Sequence, residues 1–355
     1  MKIKKKLSII HPYLENRREE IDLGLYPKHH LWGLAGLERE ERWSTNLVEC
    51  NEIYIHSLLE KVINRLLFRQ SPGVKAEIAG WRAAKSADLI YSVCGPLSLC
   101  RFYNNTKTVS WVFRKPSKSS ENLFDPYSSK NLSSHSAFLC LTPTAEKCFS
   151  MHSYAKFSPW CVDLEMFDGK APQNKPDSNF FLATGKTGRD YKTLIKAAES
   201  LSVELRIIGP KEECPKQLAP NIKWIETSED PPDQAINYPT LREWYAQCIA
   251  VCIPLSGDAD DTCGYTNMLE AMAMGKPVLM TSSGCLHLNP KINNFGISIE
   301  KGNVSQWKHS MMRILNNPDQ AQALGSHGRK ITVKDLSVPD FEKRIVRFMQ
   351  KIIDN

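Results

Sequence analysis

One stretch near residue 250 limits what this chain can fold into. Residues 249–253 form a short apolar run, which predicts a buried strand, and Pro254 ends it because proline cannot donate to a strand ladder. A loop over 255–265 follows, and residues 268–274 are then all good helix formers. Val278 begins the next apolar strand. The succession of strand, loop, helix, turn and strand predicts a parallel sheet covered by helices.

The loop between that strand and that helix is the predicted ligand site. In an open parallel sheet, ligands bind outside the carboxyl ends of the strands, and free amides at a helix N-terminus favour an anion such as phosphate. Thr266 or Asn267 is the predicted N-cap. Glu270 lies about one turn into the helix, within reach of a sugar hydroxyl. A solvated helix glutamate is the alternative for an isolated Leu-Glu-Ala-Met sequence.

The residues around Glu270 resemble the donor-site motif of the family-4 retaining glycosyltransferases. The resemblance lies in Thr-Asn-Met-Leu-Glu-Ala-Met-Ala-Met-Gly-Lys-Pro-Val at 266–278. In that family, whose two-domain fold is called GT-B, the second of two glutamates eight positions apart holds the nucleotide ribose. The resemblance implies this role for Glu270. Thr262 stands at the position of the first glutamate, which in the family contacts the donor sugar.

A second glycine-containing loop follows the predicted strand at 179–184. Its sequence, Gly-Lys-Thr-Gly-Arg-Asp at 185–190, has the spacing of neither a dinucleotide-binding loop nor a Walker loop. The family places an arginine and a lysine here on the donor diphosphate, and the resemblance implies these roles for Lys186 and Arg189. A surface loop with two cations is the alternative. The predicted donor-binding residues are Gly185, Lys186, Arg189, Thr262, Gly264, Tyr265, Thr266, Asn267 and Glu270.

The first half of the chain is predicted to form a similar domain. Strands are predicted at 6–10, 88–94, 107–113 and 137–142. In the family the strand corresponding to 107–113 ends in a histidine near the reacting sugar, whereas Phe113 and Arg114 stand here. Arg114 is the candidate to meet an acceptor charge or the departing phosphate.

Two histidines precede a helix predicted at 31–41. His29 and His30 are the acceptor-binding candidates because they flank the predicted pocket. A hydrated helix entrance is the alternative for such a pair.

Residues 53–70 form the clearest amphipathic helix of the first half. Its apolar stripe comprises Leu58, Leu59, Val62, Ile63, Leu66 and Leu67, and on another face Lys61, Arg65 and Arg69 recur every four residues. A core-packed helix with solvated cations is the favoured interpretation. A helix on a membrane surface is the alternative.

A polar segment divides the two halves. Residues 160–167 resemble the family's Gly-Val-Asp-x-x-x-Phe signature, which closes the first domain, with Cys161 in place of glycine. The predicted organisation is an acceptor-side domain at 1–168, a linker at 169–178, a nucleotide-sugar-binding domain at 179–335 and a C-terminal crossover helix at 336–355. The predicted fold class is α/β, with two facing Rossmann-like doubly wound domains (GT-B) and a C-terminal helix crossing back to the first domain.

Composition narrows the remaining function classes. The chain has 11 cysteines, an odd number, with no Cys-x-x-Cys, which is typical of reduced thiols in a cytoplasmic protein rather than of disulfides or a zinc site. It contains no run of 18 apolar residues, and its start lacks the features of a signal peptide. The net charge of +7 falls entirely in residues 1–175. A positively charged half can attract a phosphorylated acceptor, an anionic polymer or an anionic membrane face. The alternative is that the charge only keeps the protein in solution.

The resemblance implies a retaining glycosyltransferase that moves a hexose-type sugar from a nucleotide-diphosphate sugar to an acceptor hydroxyl. Arg114, Lys186 and Arg189 are the predicted catalytic residues, because they would stabilise charge on the leaving diphosphate. The predicted partners are the donor and an acceptor that is a small molecule, a glycan or a lipid-linked sugar, with contact to an anionic membrane as an option and no nucleic acid. A cytoplasmic location is predicted, with peripheral attachment to the inner membrane face as an option.

Three alternatives concern metal and catalysis. No cofactor and no metal are predicted, although Asp258, Asp260 and Asp261 lie in the donor loop and either suggest a metal or are hydrated. Asp260 or Asp261 is also a candidate to replace the missing glutamate. A second function is an inactive nucleotide-sugar-binding partner of an active transferase, since two family residues are missing. A sugar-nucleotide epimerase would need carboxylates and a histidine in the cleft, which the sequence does not provide.

Overall fold

The computed structural model describes residues 4–12, 14, 17–48, 50–115, 121–171, 179–227, 236–257, 262–282 and 286–354. The chain divides into two compact units. Unit 1 comprises Met1–Glu19, His30–Pro159 and Pro339–Asn355, and unit 2 comprises Glu20–His29 and Trp160–Val338. Of the predicted linker at 169–178, residues 172–178 lie outside the described part of the chain.

Unit 1 contains a six-stranded parallel sheet. Its strands are β1 (Lys5–Ile10), β2 (Trp43–Val48), β3 (Leu89–Ser92), β4 (Lys107–Val112), β5 (Ala137–Cys140) and β6 (Tyr154–Phe157). They lie in the order β2-β1-β3-β4-β5-β6, and every neighbouring pair is parallel. Strands β3 and β5 are buried at each position, as expected for central strands covered on both faces.

Unit 2 contains a second parallel sheet of six strands. These are β7 (Phe180–Thr184), β8 (Glu204–Pro210), β9 (Ile222–Thr227), β10 (Ala250–Ile253), β11 (Val278–Thr281) and β12 (Gly296–Ile299). The order is β12-β11-β10-β7-β8-β9. The chain builds outward from β7 in one direction and from β10 in the other, so the switch point of the sheet lies between these two strands.

Twelve α-helices surround the sheets within the described residues. They are α1 (Arg18–Asp22), α2 (Leu34–Glu38), α3 (Ser57–Leu66), α4 (Val74–Ala83), α5 (Ser129–Ser133), α6 (Pro143–Phe149), α7 (Tyr191–Ala198), α8 (Tyr238–Gln247), α9 (Tyr265–Ala273), α10 (Val304–Asn316), α11 (Pro318–Asp335) and α12 (Val338–Asp354). No helix among the described residues is both long and apolar enough to cross a bilayer. No disulfide bond joins any two of the ten cysteines in this part of the chain.

The sequence predicts β8 and β9 from apolar runs at 203–209 and 221–225, but it does not predict three other strands. Strands β2, β6 and β12 each lie at an edge of a sheet and pair with one neighbour. Each carries partly exposed or exposed positions rather than a continuous apolar run. An edge strand needs fewer apolar residues, because only part of it is covered, and the sequence pattern is correspondingly weak.

The helix predicted at 31–41 is wrong. A 3-10 turn at Lys28–Leu31 is followed by the short helix α2, and Trp32 and Gly33 between them have φ angles of 52° and 83°. Two consecutive left-handed residues cannot continue a right-handed helix. An ideal Cβ on Gly33 would lie 3.1 Å from Cγ1 of Ile345, so the close approach of α12 also favours glycine.

The last helix packs within unit 1, which confirms that the C-terminal helix returns to the first domain. Phe341 stacks on Trp111 with 5.8 Å between the ring centroids, and Phe348 stacks on Tyr154 at 5.6 Å. Lys107 Nζ donates to the carbonyl of Ile352 at 2.8 Å, near the end of α12. Lys107 therefore binds the C-terminal carbonyls, where the helix dipole favours a cation.

The interpretation of residues 53–70 as a core-packed helix is wrong. The helix spans only Ser57–Leu66 and buries none of its residues. Leu58, Val62 and Leu66 on its apolar stripe are exposed. The amphipathic pattern was sufficient to predict a helix, but it did not determine which side of that helix the protein covers.

Candidate functional site

The loops at the carboxyl ends of β7 and β10 lie side by side in unit 2. The two strands pair in parallel, with Leu182 opposite Val251. Beyond the strand ends the chains remain joined by a bridge between Arg189 and Leu255, by the amide of Asp190 donating to the carbonyl of Pro254 at 3.0 Å, and by the amide of Ser256 donating to the carbonyl of Gly188 at 2.9 Å. Both loops therefore form one ledge at the switch point, where open α/β sheets bind ligands.

Arg189 is held at the centre of this ledge. Its side chain donates from Nε to the carbonyl of Thr184 at 3.2 Å, from Nη1 to the carbonyl of Thr187 at 2.8 Å and from Nη2 to Oδ1 of Asn267 at 2.7 Å. The residue is 8% exposed, and its charge acts on the carboxyl of Glu213, where it opposes the effect of burial on the pKa of that group. All three acceptors are neutral, so the guanidinium keeps a positive charge that a bound anion would neutralise.

Gly185 makes room for that guanidinium. Its φ angle is 128°, and an ideal Cβ at this position would overlap the guanidinium group of Arg189. The backbone conformation and the close approach both require glycine here. The glycine of the loop thus serves to place a side chain of this protein.

Gly264 is the N-cap of α9, so the prediction of Thr266 or Asn267 as the cap is wrong. Gly264 has a φ angle of 81°, and an ideal Cβ there would lie 2.5 Å from Cγ2 of Ile253. Only glycine fits this left-handed position against the end of β10. The helix therefore begins at Tyr265, and Thr266 and Asn267 lie in its first turn, where amides have no intrahelical acceptor.

A chain of polar side chains leads from Arg189 into the interior of unit 2. Nδ2 of Asn267 lies 3.5 Å from the hydroxyl of Tyr245, and this hydroxyl donates to Oε2 of Glu270 at 2.9 Å. Oε1 of Glu270 lies 3.8 Å from Nε2 of His29. The network joins the first turn of α9 to helix α8 and to the segment 20–29.

Glu270 and His29 are a neutral pair rather than an ion pair. Burial raises the pKa of Glu270 to about 8 and lowers the pKa of His29 to about 3. Nδ1 of His29 accepts from the amide of Asp163 at 3.2 Å, which leaves the proton of the neutral ring on Nε2, facing Glu270. Near neutral pH the carboxyl is thus largely protonated, and Oε1 has no hydrogen-bond partner among the described residues.

The other predicted site residues of unit 2 are half-buried or buried. Lys186, Thr262 and Thr266 are half-buried on the ledge or beside it, and Tyr265 is buried with its hydroxyl 3.1 Å from Nδ1 of His287. His29 is buried inside unit 2 and is not at an open pocket entrance.

Two predicted residues belong to unit 1. His30 is half-buried, and its carbonyl accepts from Nε2 of His11 at 2.9 Å. Arg114 is exposed after the end of β4. The structure therefore brings together Gly185, Arg189, Gly264, Asn267, Glu270 and His29, whereas His30 and Arg114 are described only within unit 1.

Asp258, Asp260 and Asp261 lie outside the described residues. Among the residues that are described, no group of three or more histidine, cysteine, aspartate or glutamate side chains comes together as a metal site.

Tyr245 and Asp163 are site residues that the sequence does not predict. Tyr245 comes from α8 and is fully buried, and Asp163 comes from the segment after unit 1. Asp163 also accepts from the amide of Lys28 at 2.8 Å, so it holds the segment 20–29 beside Glu270. No spacing in the sequence relates these residues to α9, because only the folded sheet brings the three segments together.

Comparisons with known proteins agree with this architecture. Residues 185–317 match the family model of group 1 glycosyl transferases. None of the curated protein sequences matches the chain significantly.

Several solved structures share the fold. Sucrose-phosphate synthase from Thermosynechococcus elongatus is 14% identical with a TM-score of 0.67, covering 99% of this chain and 100% of the other. Anabaena HepE in complex with UDP-glucose is 13% identical with a TM-score of 0.63, covering 98% and 99%. WaaG, a glycosyltransferase involved in lipopolysaccharide biosynthesis, is 14% identical with a TM-score of 0.63, covering 96% and 98%.

These similarities confirm the predicted fold class and the predicted resemblance. The two parallel sheets of six strands are the Rossmann-like domains of the GT-B fold. The described residues of the two ledge loops lie within the matched range, whereas Thr184, His29 and Asp163, which contact the site residues, lie outside it. Residues 185–317 are therefore similar to group 1 glycosyl transferases, and the chain as a whole has the GT-B fold.

Proposed function

We propose that this protein transfers a hexose-type sugar from a nucleotide-diphosphate sugar to an acceptor hydroxyl, with retention of the anomeric configuration. The observation that carries the proposal is the buried guanidinium of Arg189, which is held by three neutral oxygens beside the first turn of α9. A buried cation next to free helix amides is a site for a dianionic group such as a diphosphate.

The donor diphosphate binds to the ledge in this proposal. Arg189 and Lys186 neutralise the phosphate oxygens, and the amides of Thr266 and Asn267 donate to them. As the bond to the sugar breaks, negative charge grows on the leaving diphosphate, and these fixed donors stabilise it without reorganisation. Arg114 and His30 of unit 1 are proposed to serve the acceptor, whereas the buried His29 is not.

Glu270 is proposed to receive a ribose hydroxyl through Oε1. Oε1 has no hydrogen-bond partner among the described residues, whereas Oε2 already accepts from the hydroxyl of Tyr245. Oε1 is therefore the oxygen that can accept a further hydrogen bond. Glu270 is 1% exposed, so binding of the ribose requires the side chains around it to move apart. Because the pKa of Glu270 is raised, its carboxyl is protonated near neutral pH and can donate a hydrogen bond as well as accept one.

No metal is part of the proposed mechanism. Lys186 and Arg189 supply the positive charge that a divalent ion supplies in metal-dependent transferases. Transfer is therefore expected to continue at an unchanged rate in EDTA, and a loss of activity that Mg²⁺ or Mn²⁺ restores would contradict this part of the proposal.

A second candidate function is binding of a nucleotide sugar without turnover, as a partner of an active transferase. Thr262 and Phe113 favour it, because both stand where the family has residues that contact the sugar. Their loss affects the sugar end of the donor and leaves the diphosphate ledge intact. Binding without transfer or donor hydrolysis would favour this candidate.

The first test is thermal stabilisation of the full chain by UDP, GDP, ADP and their hexose conjugates. A ligand that binds only the native state raises the unfolding midpoint according to its affinity. We expect a shift with one nucleotide family. The shift should be abolished in Arg189→Gln and kept in Lys192→Gln, which removes an exposed cation three residues after Arg189. No shift with any of them would overturn the donor-site assignment.

A further inference from the structure

Helix α3 presents an exposed apolar face. Leu58, Val62 and Leu66 recur every four residues along it and are 66%, 51% and 71% exposed. Leu59 lies beside them and is also exposed, as is Leu67 just after the helix. Because residues four apart share one side of a helix, these side chains form one continuous strip, which we call the α3 strip.

The opposite side of α3 is the one that contacts the protein, and its contacts are polar. Oδ1 of Asn64 accepts from the amide of Val74 at 2.7 Å and so caps helix α4. Glu60 pairs with Lys75 of α4 at 3.0 Å. A surface helix of a globular domain normally turns its apolar stripe inward and its polar side outward. Helix α3 is arranged the other way round.

Cations line one edge of the α3 strip. Lys61 and Arg65 are exposed and lie three residues after Leu58 and Val62, which places them next to these leucine and valine side chains on the helix surface. Arg69 continues the same spacing beyond the helix. The one acidic residue of α3, Glu60, is turned toward Lys75. The strip is therefore apolar with a positive edge and no exposed negative charge.

We propose that the α3 strip docks unit 1 onto the surface of an anionic lipid bilayer. The leucine and valine side chains enter the region between headgroups and acyl chains, while Lys61 and Arg65 contact the negative headgroups. The charge pattern favours this occupant over a second copy of the chain, because two copies of the strip would bring the same cations together. The net charge of +7 in residues 1–175 adds a general attraction to the same surface.

The test is co-sedimentation of the full-length protein with vesicles, without donor or acceptor, so that its outcome is independent of the proposed transfer reaction. We expect binding to vesicles of phosphatidylcholine mixed with phosphatidylglycerol and much weaker binding to phosphatidylcholine alone. Leu58→Gln/Val62→Gln should weaken binding by roughly 100-fold, because two apolar side chains that enter the bilayer are lost. Lys61→Gln/Arg65→Gln should weaken it by roughly tenfold or more, and less so at high salt.

Matched control variants distinguish binding through the α3 strip from nonspecific binding to vesicles. Val333→Gln/Ile292→Gln removes two exposed apolar residues of unit 2, and Lys192→Gln/Lys196→Gln removes two exposed cations four residues apart on α7. Both should bind vesicles like the wild type, and glutamine supports helix formation, so all variants should keep their far-ultraviolet circular dichroism. Absence of vesicle binding, or equal losses in the control variants, would overturn the proposal. So would a dimer in light scattering that Leu58→Gln/Val62→Gln dissociates.

Discussion

The Nη2 group of Arg189 donates to Oδ1 of Asn267 at 2.7 Å, and this bond ties the loop after β7 to the first turn of α9. The two residues are 78 positions apart in the chain. The same asparagine lies 3.5 Å from the hydroxyl of Tyr245, which donates to Glu270. The proposed diphosphate and ribose ends of the donor site are thus parts of one hydrogen-bond network, and a change at one end should be felt at the other.

Gly185→Ala should lower both stability and donor affinity. The added Cβ would overlap the guanidinium of Arg189, and the φ angle of 128° is unfavourable for alanine. Gly302→Ala is the control, because Gly302 also has a positive φ, 70°, but no atom lies within 4 Å of its ideal Cβ. We expect both variants to lose about 1 kcal/mol or more of stability and only Gly185→Ala to lose nucleotide binding, measured by calorimetry. Equal nucleotide affinity in the two variants would contradict the packing argument.

Glu270→Gln should change how stability depends on pH. Burial raises the pKa of Glu270 from 4.5 to about 8, so between these values the unfolded chain has released a proton that the folded chain keeps. The free energy of unfolding of the wild type, relative to Glu270→Gln, should therefore fall as pH rises through this range, by about 1.4 kcal/mol per pH unit.

Urea titrations of the two proteins across the range from about pH 5 to about pH 8 would measure this difference. A difference that stays constant with pH would show that Glu270 is ionised in the folded protein.

Asn267→Ala should weaken nucleotide binding more than it weakens the fold. It removes the acceptor of Nη2 and leaves the guanidinium held by the carbonyls of Thr184 and Thr187 only. We expect a loss of about 1 to 3 kcal/mol in binding free energy, the usual range for a charge-assisted bond or an unsatisfied partner. Asn317→Ala, which removes a single exposed bond to the carbonyl of Arg313, should leave binding unchanged. Isothermal titration with the nucleotide found in the stabilisation panel would measure both.

Phe341→Ala should destabilise unit 1 strongly. Phe341 is fully buried against Trp111, and large-to-small changes at such positions cost about 3 to 5 kcal/mol. Val333→Ala, at an exposed position of α11, should change stability by less than about 0.5 kcal/mol. Denaturation followed by tryptophan fluorescence would report on the environment of Trp111, among the other tryptophans. A small effect of Phe341→Ala would mean that α12 contributes little to the core of unit 1.

The sequence was sufficient for the elements that are covered on both sides. The apolar runs at β7, β10 and β11 and the helix formers of α9 predict the centre of the unit 2 sheet and its switch-point loop within a few residues. The family resemblance was confirmed over residues 185–317, which contain β10, α9 and β11 but not β7. Central parallel strands must be apolar on both faces, and this requirement produces continuous apolar runs that can be recognised in the sequence.

Features that depend on a distant partner could not be predicted. The choice of Gly264 as N-cap depends on the position of Ile253, and the left-handed turn at Trp32 and Gly33 accompanies the close approach of Ile345. The site roles of Tyr245, Asp163 and His29 depend on three segments that meet only in the folded unit. The inverted orientation of α3 likewise follows from its polar contacts to α4.

The sequence by itself determined the alternation of strands and helices, the positions of the two glycine-containing loops and the residues that resemble a donor site, because local apolar patterns and backbone preferences fix these. Only the tertiary structure decided that Arg189 is buried among neutral oxygens, that Glu270 faces His29 and that α3 turns its leucines outward. Burial and pairing are properties of residues far apart in the chain, and the free energies that set their charge and orientation exist only once the two parallel sheets have formed.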